Sequence, residues 1–168
     1  MFGQESRQLA EFTAFVTASS PYLARTAYLL TGRQDLADDL VQETLTRTYA
    51  AWPRVRGHDA TGYARRVLVN LTIDGHRRRR AVLAEWVDLP DPADGEAAAD
   101  DRDEVARLLA RLTPQQRRIV VLRYFDDYTE AQTADCLGIS VGTVKATCSR
   151  ALARLRRLRE PLREGDPT

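Results

Sequence analysis

Ala134, Gly138 and Val144 stand four and six residues apart, a spacing that lets two helices cross at a tight corner. Such a crossing needs a small side chain in the first helix and glycine in the turn. It also needs an apolar side chain on the second helix to close the corner, the pattern of a DNA-binding helix-turn-helix. Leu137 and Ile139 fill the space between. On the second helix Val144, Cys148, Leu152 and Leu155 recur every three or four residues and are expected to face inward. Gly142, Lys145, Ala146 and Ser149 then fall on the opposite side, with Thr143 and Arg150 at its margins. Residues near the start of such a helix reach base edges in the major groove, and long basic chains hold phosphates. Thr143, Lys145, Ala146, Ser149 and Arg150 are the candidate DNA-reading residues, with Lys145 and Arg150 foremost. Arg154, Arg156, Arg157 and Arg159 read as a solvated basic face.

The N-terminal half carries two further constellations. Between Asp35 and Ala51, one helical stripe is Ala37, Leu40, Val41, Thr44, Leu45 and Thr48, expected to face a core. Asp35, Asp38, Asp39, Gln42 and Glu43 form a second, acidic stripe. Like charges crowded on one stripe cost a few tenths of a kcal/mol per pair, which a basic partner surface would relieve. In the next segment Tyr63, Val67 and Leu71 are expected to pack inward, while Arg66, Asn70, Asp74 and Arg77 line another face. An asparagine among arginines suits hydrogen bonding to exposed base edges, and the run Arg77–Arg80 suits phosphates.

The remaining chemistry points away from catalysis. The sequence offers no nucleophile–base pair, no phosphate-cradling glycine loop and no metal-ligand spacing, so an enzyme, a cofactor and a metal are not expected. Cys136 and Cys148 are the only cysteines and read as two small buried hydrophobes rather than a redox pair. No stretch is apolar enough to span a membrane, and Met1–Ala18 reads as amphipathic rather than as a leader, so a cytoplasmic protein is expected.

The net charge of +1 hides a segregation of charge along the chain. Arg54–Arg80 holds eight basic and two acidic residues, Glu85–Glu104 nine acidic and one basic, and Val105–Thr168 twelve basic and seven acidic. Two basic blocks flanking an acidic spacer suggest two nucleic-acid-facing modules on a tether.

Helical spacing dominates, and the fold class is all-α: two small helical domains joined by a flexible acidic linker. Helices are expected near Gln4–Ser19, Pro21–Thr31, Asp35–Ala51 and Asp59–Arg80, with Trp52-Pro53 ending the third. Glu85–Asp101, with its prolines and carboxylates, cannot bury a core of its own. Helices restart near Arg102. Thr113-Pro114-Gln115-Gln116 reads as a capped start, Thr129-Glu130 opens a helix ending at Gly138, and Ser140 caps a last one running to Arg159. The expected division is 1–82, a linker 83–103, a second domain 104–160 and a tail 161–168.

Three stretches in this order resemble sigma factors of the extracytoplasmic-function group, of the small actinobacterial type. They are Asp35-Leu36-Ala37-Asp38-Asp39-Leu40-Val41-Gln42-Glu43-Thr44, Tyr63–Arg80, and Leu112-Thr113-Pro114-Gln115-Gln116-Arg117 through Gly138-Ile139-Ser140-Val141-Gly142-Thr143-Val144-Lys145. The resemblance implies that the first domain is sigma region 2 and the second, with its helix-turn-helix, region 4. Asp35, Asp38, Asp39, Gln42 and Glu43 would then dock on the clamp helices of the largest subunit of core RNA polymerase. Arg54, Arg56, Arg65, Arg66, Asn70, Asp74, Arg77 and Arg78 would capture the −10 element, the loop Arg54–Ala60 holding a flipped base. The helix-turn-helix would read the −35 duplex of promoter DNA and sit on the flap of the second-largest subunit, and an anti-sigma factor is a possible partner. One departure is Ala146-Thr147, where many members carry Ser-Arg. A stand-alone helix-turn-helix regulator is the rival reading, and it leaves the acidic stripe and the Asn70 face idle. An adaptor protein, such as an anti-sigma factor, would need no recognition helix.

Overall fold

The structure, a computed structural model, describes residues 2–85 and 101–159, with side chains described for 3–75 and 104–159. Seven helices make up the described residues: α1 (Phe2–Thr31), α2 (Gln34–Val55), α3 (Ala60–Glu85), α4 (Asp101–Ala110), α5 (Pro114–Tyr124), α6 (Glu130–Leu137) and α7 (Val141–Arg159). The linker, apart from its helical ends, and the tail lie outside the described residues.

The N-terminal half is a bundle of α1, α2 and α3. Leu23, Ala27 and Leu30 of α1, Ala37 of α2, and Ala64, Leu68 and Val69 of α3 are buried in it. Thr44 and Thr48 are buried on the same stripe of α2, with Leu40, Val41 and Leu45 half-buried, as the apolar spacing predicts. Phe12 and Phe15 of α1 hold Trp52 between them, at ring-centroid distances of 5.0 and 5.1 Å.

Three expectations are corrected here. Pro21 does not start a new helix; α1 runs through it. Proline removes one N–H, but side-chain hydroxyls tie the backbone around it, Ser19 Oγ donating to the Phe15 carbonyl at 2.6 Å and Ser20 Oγ to Val16 at 2.7 Å. Both ends of α1 also face the same bundle, so a break would expose Phe15 or Leu23. Trp52-Pro53 likewise fails to stop α2, which continues to Val55, closed by Arg56 N–H bonding to the Trp52 carbonyl at 3.0 Å. Buried Trp52 anchors that final turn. In α3 the deepest residues are Ala64, Leu68 and Val69, while Tyr63, Val67 and Leu71 are half-buried. Val67, Leu68 and Val69 are consecutive and apolar, so spacing alone leaves the helix phase open, and packing between α1 and α2 sets it.

The C-terminal half is ordered by capping. Thr113 accepts from Gln116 N–H at 3.3 Å and Gln116 Oε1 accepts from Thr113 N–H at 3.1 Å, with Pro114 in the first turn of α5. Thr129 and Gln132 repeat this box at α6, at 3.1 and 2.9 Å. Ser140 Oγ accepts from Thr143 N–H at 3.1 Å and caps α7. Gly138 ends α6 at φ 63°, the left-handed conformation that glycine adopts without strain.

Candidate nucleic-acid and polymerase interface

The corner of the helix-turn-helix closes as its spacing requires. Ile119 of α5, Ala134 of α6 and Val144 of α7 form a small core, with Leu137, Ile139 and Cys148 packed against it. Thr147 and Ala151 are buried on the same stripe of α7, whereas Leu152 and Leu155 are half-buried. Gly142, Lys145, Ala146, Ser149 and Arg150 are exposed, and Thr143 is half-buried beside its cap. Lys145 Nζ lies 3.6 Å from Glu130 of α6, and Arg150 Nη2 donates to Thr147 Oγ1 at 3.2 Å. Glu130, which helical spacing did not flag, thus stands beside the sole lysine of the chain.

The acidic stripe of α2 is exposed along its length: Asp35, Asp38, Asp39, Gln42 and Glu43 all face solvent. Local partners meet some of its charge. Arg33 pairs with Asp35 at 2.5 Å, and this hydrogen-bonded guanidinium holds the Asp35 carboxyl below its ordinary value. Gln34 donates to Asp38 at 2.7 Å and Arg47 to Glu43 at 2.6 Å. Exposed pairs of this kind contribute only about 0–1 kcal/mol, so they hold the stripe's side chains only weakly.

On α3, Arg66, Asn70 and Asp74 are exposed on one strip, and Arg77 and Arg78 lie on the same helix beyond the described side chains. Asp59 caps this helix, its Oδ1 accepting from Gly62 N–H at 2.8 Å. Arg54 is exposed in the last turn of α2, and Arg56 donates to Glu11 at 3.3 Å. A polar hollow lined by Gln4, Arg7, Glu11, Arg56 and Gly57 opens there. Arg65 is placed differently from its neighbours. Its side chain is 17% exposed and sits between the rings of Tyr22 and Tyr128, 5.1 and 4.7 Å from their centroids.

The surroundings of Arg65 belong to both halves. Asp126, in the turn after α5, lies 3.6 Å from Arg65 and accepts from Thr26 Oγ1 of α1 at 2.8 Å. Burial raises the Asp126 carboxyl above its ordinary value, against the opposing pull of the Thr26 hydroxyl, Arg65 and Arg25. Burial works against the Arg65 charge as well, but the Tyr128 hydroxyl and Asp126 outweigh it and hold it above its ordinary value. The turn is set by Asp127 at φ 54°, and by Tyr128 N–H donating to the Leu122 carbonyl at 2.9 Å. Sequence reading missed Thr26, Asp126 and Tyr128, because no local pattern links residues so far apart.

Among the described residues no group of His, Cys, Asp or Glu is placed to hold a metal. No described helix is long and apolar enough to cross a membrane. Both cysteines are free; burial raises the Cys136 thiol, while Cys148 is half-buried.

A helix-turn-helix whose second helix starts exposed, beside a bundle bearing an exposed acidic stripe and an arginine–asparagine strip, is the architecture of a nucleic-acid-binding protein. Residues 15–82 match the family pattern of sigma-70 region 2, and residues 102–155 that of sigma-70 region 4. The RNA polymerase sigma-E factor of Streptomyces avermitilis is 37% identical over 152 residues, spanning 89% of this chain and 85% of that protein. The ECF RNA polymerase sigma factor SigM of Mycobacterium tuberculosis is 33% identical over 171 residues, spanning 93% and 87%. The solved structure of the sigma factor RpoE from Bartonella quintana, in complex with the anti-sigma factor NepR, matches with a TM-score of 0.74. It is 25% identical and covers 89% of this chain and 96% of that one. The chain belongs to the sigma-70 family of RNA polymerase sigma factors, in its extracytoplasmic-function group. Its role is that of a promoter-recognising initiation factor.

Proposed function

We propose that the chain binds core RNA polymerase and, within that complex, reads the −35 and −10 elements and promotes DNA opening, without catalysing a reaction itself. Residues 1–82 act as the polymerase- and −10-binding domain, 83–103 as the acidic connector, 104–160 as the −35-binding domain and 161–168 as a tail. The observation that carries this reading is the pairing, in one chain, of the exposed Arg66–Asn70–Asp74 strip with the exposed start of α7. A stand-alone regulator has use for only the second.

In this reading Asp35, Asp38, Asp39, Gln42 and Glu43 dock on the clamp helices of the largest subunit, and region 4 sits on the flap of the second-largest. Lys145 and Arg150, with Thr143, Ala146 and Ser149, contact the −35 duplex. Arg54, Arg56, Arg66, Asn70, Asp74, Arg77 and Arg78 hold the non-template strand, and Arg65 joins them when its enclosure by Tyr22, Tyr128 and Asp126 opens. Capturing unstacked bases there stabilises open DNA by about 1–3 kcal/mol per base. The protein works in the cytoplasm, with an anti-sigma factor as an inhibitory partner, a role supported by the complexed sigma factor to which it is similar.

The test is run-off transcription with purified core polymerase on a genomic promoter library. Products that require the chain and share two upstream elements are expected. A chain that shifts duplex DNA alone, yet neither binds core polymerase nor directs initiation, would make it a stand-alone regulator.

A further inference from the structure

Gln4, Arg7 and Glu11 follow at intervals of three and four on one face of α1, in turns that precede the span matching region 2. That face meets the start of the loop between α2 and α3. Glu11 holds two guanidiniums, one on each carboxylate oxygen. Arg7 Nε donates to Oε1 at 3.2 Å and Arg56 Nη1 to Oε2 at 3.3 Å. With Gln4 and Gly57 these residues line an open hollow of about 660 Å³.

The side chains of Arg7, Arg56 and Glu11 are 81%, 36% and 39% exposed, and each guanidinium donates to Glu11 through one nitrogen. A guanidinium carries five N–H donors, so both forks keep donors for a further acceptor. Two guanidiniums on one carboxylate leave the hollow net positive, and among the described residues no other charged side chain lines it. Such a site suits the oxygens of a phosphate, which a planar guanidinium meets with two parallel bonds. A Cβ added at Gly57 would have no atom within 4 Å, so the rim beside the loop is open.

We propose that this hollow is a phosphate site: Arg7 and Arg56 take one backbone phosphate of the non-template strand, beside the nucleotide held by the loop Arg54–Ala60. Glu11 keeps both guanidiniums aimed at the hollow until the strand arrives. The proposal rests on the reading of that loop as strand-binding, and it extends the strand surface onto α1.

The test uses the full chain bound to core polymerase and a premelted promoter drawn from the run-off library. Each phosphate of the non-template strand across the −10 element is replaced in turn by an uncharged methylphosphonate. For wild type, one position beside the flipped base is expected to weaken binding roughly three- to tenfold. Arg7→Gln should weaken binding of unmodified DNA by a similar factor and lower the salt slope by about 0.7. It should also be indifferent to the methylphosphonate at that one position, because the two changes remove the same contact. Glu11→Gln should bind unmodified DNA more tightly and keep the sensitivity at that position. Circular dichroism checks that both variants retain their helices.

An Arg7→Gln complex that binds as wild type does, or whose loss adds to that of the methylphosphonate at every position, would overturn the site. Asn70→Ala, run in parallel, separates two failures. If it weakens strand binding and Arg7→Gln does not, the hollow alone is misassigned. If neither does, the strand-binding reading falls with it. Inorganic tripolyphosphate, titrated calorimetrically into the free chain, tests the other source of phosphate. Binding that Arg7→Gln abolishes, with the DNA scan unmoved by that substitution, would assign the hollow to a free polyphosphate and overturn the strand contact.

Discussion

Thr26 and Asp126, one hundred residues apart in the chain, meet through a hydrogen bond of 2.8 Å from the threonine hydroxyl to a carboxylate oxygen. Thr26 is buried, and the other carboxylate oxygen of Asp126 is buried with no hydrogen-bond partner. The junction between the halves therefore contains an acid whose ionised form is incompletely met, although Arg65 and Arg25 are near.

That incomplete pairing sets the sign of a pH effect. Burial raises the Asp126 carboxyl, so the folded chain holds this proton more tightly than the unfolded chain does. The stabilisation from this group is full below the unfolded value of about 3.9 and is lost as pH rises through the higher folded value. Asp127 adds to the upward shift. Asp126→Asn removes the effect, and the melting temperature of wild type minus that of the variant should increase as the pH falls from about 7 to the unfolded value of about 3.9. A difference that stays flat or decreases would refute the raised value.

The caps of the helix-turn-helix should be worth measurable stability. Thr129→Ala removes a hydroxyl bonded to Gln132 N–H at 3.1 Å and should cost about 1 kcal/mol in denaturant unfolding. Gly138→Ala should cost about 1–2 kcal/mol, because φ is 63° there and the penalty is conformational; no heavy atom lies within 4 Å of an added Cβ. Equal stabilities for wild type and Gly138→Ala would contradict the left-handed cap.

Ile119, fully buried against Ala134 and Val144, fixes the angle at which α7 leaves the corner. Ile119→Ala should destabilise the protein by about 2–5 kcal/mol. Ala134→Leu should cost about 1–3 kcal/mol by overpacking the same site. Thermal unfolding distinguishes both from surface changes, which stay within about 0.5 kcal/mol.

The exposed stripe on α2 should behave in the opposite way. Asp38→Arg with Asp39→Arg is expected to change stability by under about 1 kcal/mol, since both residues are exposed, while abolishing co-purification with core polymerase. Retained binding would remove the stripe from the interface.

On the recognition helix, Lys145→Ala should lower initiation at the native promoter by roughly 1–3 kcal/mol equivalent if the ammonium reads a base edge. If it holds a phosphate, all promoters should weaken alike and the salt slope of duplex binding should fall by about one. Glu130→Gln, which frees the ammonium 3.6 Å away, should leave duplex binding by the complex intact and alter only its sequence preference.

Much of this protein is local and therefore legible in its residues. The Thr113–Gln116 box, the helix start at Thr129, Gly138 and the Ala134–Gly138–Val144 spacing each specify a helix end or a corner within a few residues, and all appear in the structure. The stripe from Asp35 to Glu43 is likewise set by helical period alone, as is the strip Arg66, Asn70 and Asp74. What periodicity could not decide was which of several adjacent apolar residues in α3 is deepest, or whether proline breaks a helix that neighbouring helices hold on both sides of it. Those outcomes depend on packing across the bundle. Nor could it place Arg65 between Tyr22 and Tyr128, or Asp126 against Thr26. Such pairs join residues separated by long stretches of chain. Their energies come from desolvation and from a shared apolar core, neither of which leaves a mark on the spacing of residues along one helix.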